Sequence, residues 1–93
     1  MAVRIRIPSH LRDLPGARAV VELSGQPATV GEALDALWRE IPSARDRVMT
    51  ETGELREHVH LFVGVESIRY TGGLATMLPE GGEITIVPAV SGG

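Results

Sequence analysis

The residues of this sequence best suited to chemistry are its last two, Gly92 and Gly93, which end the chain in a carboxylate that no side chain obstructs. At an average glycine usage of about 7 %, such a pair arises by chance in roughly 0.5 % of chains, so the pair alone is no proof of a role. A C-terminal carboxylate with a pKa of roughly 3.5 is an anion at neutral pH and a poor electrophile. For Gly93 to carry a group, something else must activate it. The rest of the chain offers no means of doing so. There is no cysteine, which excludes disulfides, thiolate metal sites and a cysteine nucleophile. His58 and His60 stand two apart and share a strand face, but no third ligand accompanies them, so no metal site is expected. No serine has a convincing base and orienting acid. Gly72-Gly73 and Gly81-Gly82 lack the lysine and the strand-to-helix setting of a phosphate loop, and read as turns. An enzyme is therefore not expected, and no cofactor bound by this chain is implied.

The elements that must position the tail are legible from periodicity. Ninety-three residues, 43 % hydrophobic and 23 % charged, fit one globular domain with its own core. The net charge of −3 argues against a nucleic-acid binder. The alternating N-terminus is neither a signal-peptide core nor a membrane span, so a cytoplasmic location without membrane contact is expected. All nine basic residues are arginine and none is lysine, so no side chain here can accept an isopeptide bond.

Val3, Ile5 and Ile7 alternate with Arg4 and Arg6 in a strand that Pro8 ends. A second strand over 18–23, with Ala19, Val21 and Leu23 on one side, predicts an antiparallel hairpin. Thr29-Val30-Gly31-Glu32 matches a capping box, and Val30, Leu34, Leu37, Trp38 and Ile41 then form one apolar helical stripe before Pro42 stops it. Residues 43–57 read as a charged loop with one helical turn, anchored by Val48, Met49 and Leu55. A strand follows over 58–65, then a turn at Glu66-Ser67, a short strand over Ile68–Tyr70, further turns, and a last strand over Glu83–Val87. Pro88 is expected to end pairing and release the tail. The sum is an α+β domain over 1–87, a mixed sheet of four to five strands with one main helix on one face, and a flexible tail over 88–93.

The helix covers one face, so the other is left open. Phe62 and Val87 should project from it, flanked by Arg4, Arg6, His60 and Thr85. An apolar cluster beside the root of the tail is the candidate docking patch.

Over its whole length the chain resembles the ThiS/MoaD family, the small ubiquitin-like sulfur carriers of the β-grasp fold that serve thiamin, molybdopterin and cysteine biosynthesis. The resemblance is most specific at Arg69-Tyr70-Thr71-Gly72-Gly73-Leu74-Ala75-Thr76 and at the ending Ile84 to Gly93, and both look most like the cysteine-biosynthesis branch. Many relatives have alanine where this chain has Ser91. The resemblance implies an E1-like adenylyltransferase/sulfurtransferase that uses ATP and Mg to adenylate Gly93 before sulfur displaces AMP. It also implies a sulfur-accepting synthase, with a hydrolase acting at the C-terminus left open, and a carrier that is a monomer when free. Val90, Ser91 and Gly92 would thread into the partner with Gly93, since six extended residues reach about 20 Å. A protein modifier joined through Gly93 to lysines remains an alternative, as do the molybdopterin, thiamin and thiolated-RNA carriers of the same family.

Overall fold

Alternation decides the first hairpin. A computed structural model of the chain describes residues 2–88, and in it Val3 and Ile5 are fully buried while Arg4 and Arg6 are exposed. Strand β1 (Val3–Arg6) pairs antiparallel with β2 (Val20–Leu23), Val3 opposite Leu23 and Ile5 opposite Val21. Ile7 lies just past the strand, yet it is buried and its N–H donates to the Ala19 carbonyl at 2.9 Å.

Helix α1 (Val30–Glu40) begins at the expected cap: the Glu32 N–H donates to Thr29 Oγ1 at 3.2 Å. The returning arm of the box is displaced by one residue, because the Glu32 carboxylate accepts from the Ala28 N–H at 3.3 Å. Val30, Ala33, Leu34 and Leu37 are buried along one stripe, and Ile41 joins them at the C-cap. Trp38, expected on that stripe, is only partly buried and packs at the margin of the core. Pro42 ends α1 and opens a 3-10 turn (Pro42–Ala44) at the position where its missing N–H is not needed. The single-turn helix α2 (Arg45–Val48) follows. Of the expected anchors, Val48 and Met49 are buried and Leu55 is partly so, with Met49 bridged to Leu55.

Strand β3 (Val59–Val63) and strand β4 (Glu66–Ser67) form a hairpin over the two residues Gly64 and Val65. Gly64 has φ +62° and Val65 has no positive φ, the glycine-first pattern of a tight hairpin turn. This corrects the sequence reading, which put the turn at Glu66-Ser67 and a strand at Ile68–Tyr70. Those three residues form a 3-10 turn, capped by Ser67, whose Oγ accepts from the Arg69 N–H at 3.3 Å. The physical reason lies in burial. Ile68 is 2 % exposed and Tyr70 85 %, whereas residues two apart in a strand would share a face.

Strand β5 (Glu83–Pro88) is central: it runs parallel to β1 and antiparallel to β3, giving the order β2-β1-β5-β3-β4. Pairing continues one residue beyond the expected end, with Pro88 opposite Val59. The Gly64 N–H donates to the Glu83 carbonyl at 3.0 Å, which phases the ladder so that Phe62 and His60 exchange bonds with Thr85 and Val87. The Val59–Pro88 pair then falls between bonds, so the ladder with β3 loses nothing to the missing proline N–H. Val3, Ile5, Val21, Leu61, Ile84 and Ile86 from the sheet close on the α1 stripe to form the core. Burying each such side chain stabilises the fold by roughly 1.5–3 kcal/mol relative to exposure.

Candidate functional site

Val90, Ser91, Gly92 and Gly93 lie outside the described residues. The strand that leads to them and the sheet face beside it are described. On that face the register sets out rows of side chains. One runs Val20, Arg6, Thr85, Phe62, Ser67 across all five strands, and its neighbours pair Glu22 with Arg4 and Val87 with His60. Phe62 is half-buried between Thr85 and Ser67, and Val87 is 37 % exposed next to the last residue of β5. The residues that sequence parity assigned to the open face therefore stand together on it.

Their charges are less free than the sequence indicates. Arg6 Nε donates to Glu83 Oε1 at 2.9 Å, and Arg4 Nε lies 3.9 Å from Glu22 Oε2. Both pairs are solvent-exposed and each contributes at most about 1 kcal/mol. Their effect is to neutralise the β1 side of the face. Alternation alone places Glu22 and Glu83 on this face, but their partners depend on which strands neighbour β1, and no local pattern reveals that.

On the other side, His60 is half-buried and Arg69 Nη2 donates to His60 Nδ1 at 3.4 Å. Arginine has only donors, so this contact makes Nδ1 the accepting nitrogen. Reading Ile68–Tyr70 as a strand hid Arg69, which the 3-10 turn brings beside His60. Among the described residues no group of three or more His, Asp or Glu is arranged to hold a metal ion. Among them too, no helix is long and apolar enough to cross a membrane.

A five-stranded mixed sheet gripping one main helix, with its central strand leading to the tail, is the ubiquitin-like β-grasp fold. The sequence matches the ThiS family over residues 5–93, and the chain belongs to that family of sulfur carriers. It is 36 % identical to the sulfur carrier protein CysO of Mycobacterium tuberculosis over the full length of both chains. It is 37 % identical to small archaeal modifier protein 1 of Haloferax volcanii over 91 % of this chain and 93 % of that one. Its fold superposes on the crystal structure of the BexX/CysO complex of Amycolatopsis orientalis with a TM-score of 0.86 at 35 % identity, covering 99 % of this chain and 100 % of that one.

Proposed function

We propose that the chain is a protein cosubstrate whose Gly93 carboxylate is adenylated by an E1-like enzyme and then converted to a thiocarboxylate. A carboxylate oxygen of Gly93 attacks the α-phosphorus of ATP, with Mg held by the partner, and pyrophosphate leaves. A sulfur donor then attacks the acyl-adenylate and expels AMP, leaving sulfur on the Gly93 carbonyl. The observation that carries this reading is the likeness to CysO over the whole chain, in a family match that runs through Gly93. Within that reading the sulfur goes to cysteine or another sulfur-containing metabolite through an accepting synthase.

Glycine suits the reacting position because a residue without Cβ lets the backbone come close to a phosphate in a narrow channel. In this reading, holding an extended segment fixed in a partner costs about 1–2 kcal/mol per residue, which contacts elsewhere would offset. The open face supplies them in this reading, through Phe62, Val87 and His60, with Arg4 and Arg6 at the edge. The solved assembly of a CysO with BexX supports the idea that such a carrier works in complex with another protein.

Intact mass spectrometry tests the chemistry. Incubation with ATP, the activating enzyme and a sulfur source is expected to exchange one oxygen of the C-terminus for sulfur, and a chain lacking Gly93 is expected to stay unmodified. An unmodified full chain with a competent enzyme defeats the reading. The likeness to small archaeal modifier protein 1 favours a second one, in which activated Gly93 is joined to lysines of other proteins. Glycylglycine remnants on lysines in digested extract, lost on deletion of Gly93, are its signature.

A further inference from the structure

The segment Arg69 to Thr76 is among the most distinctive of the sequence, and the fold accounts for most of it. Ile68, just before it, is buried, and Gly72 and Gly73 turn the chain with φ of +124° and +61°. The Thr76 hydroxyl donates to the Gly73 carbonyl at 2.7 Å and lies 3.0 Å from Thr71 Oγ1, while the Thr76 carbonyl accepts from the Val30 N–H at 3.0 Å and so ties the turn to the start of α1. The side chains of Arg69 and Tyr70 are not explained in this way, and Tyr70 leaves 85 % of its surface exposed.

Arg69 differs from the arginines that surface ion pairs engage. Arg4, Arg6, Arg18 and Arg45 each lie within ion-pair distance of a carboxylate. Among the described residues Arg69 has no acidic partner, only His60 Nδ1, so most of its five donors are uncommitted. It lines a groove of about 520 Å³ together with Arg56, His60 and Ser67, and the partly buried Leu55 gives the groove an apolar wall. Arg56 is preset there, because its Nε donates to the Asp46 carbonyl at 2.7 Å, and among the described residues its terminal nitrogens have no acidic partner. Among the described residues Glu57 is the single acid in the lining, against Arg56 and Arg69, so this lining is net basic in a chain of net charge −3.

We propose that this groove docks an acidic segment of a protein partner, with a carboxylate on Arg69 and an apolar neighbour against Leu55. Charge complementarity selects the acid, since a guanidinium with free paired donors matches a carboxylate in two bonds. The groove's volume and its Leu55 wall select a polypeptide over a small anion, because a lone phosphate or carboxylate fills neither. Arginine is also among the residue types that dominate binding energy at protein interfaces. The proposal does not rest on the chemistry of Gly93.

The test is selection of binders to the full chain from a random dodecapeptide library, followed by amide mapping in solution. Selected peptides are expected to pair Asp or Glu with Leu, Val or Phe, and to shift the amides of His60, Leu61 and Arg69. Arg69→Glu is expected to weaken them by about tenfold or more, the loss of a charge-assisted pair. Arg69→Lys should fall between, and Arg39→Glu, on the outer face of α1, should bind as the parent does. Amide spectra of each variant establish that the fold is intact. Binders without acidic residues, binders that map elsewhere, or binding undiminished in Arg69→Glu overturn the proposal. Saturation of the same amides by inorganic phosphate or an RNA oligonucleotide alone, with no acidic peptide selected, overturns it equally.

Discussion

The two faces of the sheet come from the same strands, one residue apart, and they answer to different physics. Val3, Ile5, Val21 and Ile84 are fully buried against α1, so their face is fixed by packing. Arg4, Arg6, Glu22, Glu83, Phe62 and Val87 occupy the other, where exposed ion pairs and one half-buried aromatic hold little of the fold together. The covered face makes the domain, and the open face is left to be used. Substitutions on the first should therefore alter stability with little specificity of function, and those on the second the reverse.

The largest effect is expected on the covered face. Leu37 is fully buried at the centre of the α1 stripe, and Leu37→Ala removes transfer energy and leaves a cavity, a loss of about 2–5 kcal/mol. Urea denaturation reads this directly, as a fall in midpoint at an unchanged slope. A small loss would mean that α1 can collapse onto the sheet and that the contrast between the faces is weaker than burial indicates.

Next comes Phe62→Asp. Phe62 is only half-buried beside Thr85 and Ser67, so the expected cost in stability is about 1–2 kcal/mol, a fraction of that for a fully buried aromatic. Under the proposed function, adenylation should fall by about tenfold or more, since the proposed contact would exchange an aromatic for a buried charge. Equal adenylation rates with an intact fold would remove Phe62 from the proposed docking surface. A large loss of stability would instead move Phe62 to the fold's side of the comparison.

The covered face is the legible one. Periodicity of two in 3–7, 18–23, 58–65 and 83–87 and of three to four after Thr29 locates every buried strand and the helix, because burial writes itself into local pattern. The short β4 escapes it because a two-residue strand carries no period, and Gly64 marks the turn only in the light of Val65, whose exposure of 93 % a valine does not advertise. The open face is legible by parity alone. That Phe62 and Val87 share it follows from alternation, but the partners of Arg4 and Arg6 follow from β1 lying between β2 and β5, a long-range fact. Arg69 escapes for the related reason that its side chain is aimed by a 3-10 turn with no sequence period of its own.

The smallest effect is expected from Arg6→Ala, and it is the finest test of the contrast. The Arg6–Glu83 contact of 2.9 Å is the shortest ion pair described, yet the side chains are 57 % and 37 % exposed. An exposed pair gains little over hydration, so the substitution should cost about 0.5 kcal/mol. Salt separates this from packing. Raising ionic strength from about 0.1 M to 1 M shortens the Debye length from about 10 Å to 3 Å, which should erase most of the Arg6→Ala effect. The Leu37→Ala loss has no charge to screen, and its difference from the parent should persist at both salts. If Arg6→Ala instead cost more than about 2 kcal/mol regardless of salt, well above the range of an exposed pair, β1 and β5 would depend on this bridge, and the open face would be part of what holds the fold. A small, salt-sensitive loss leaves Arg6 available for exchange, since a partner presenting its own carboxylate can then displace Glu83 at little expense to the sheet.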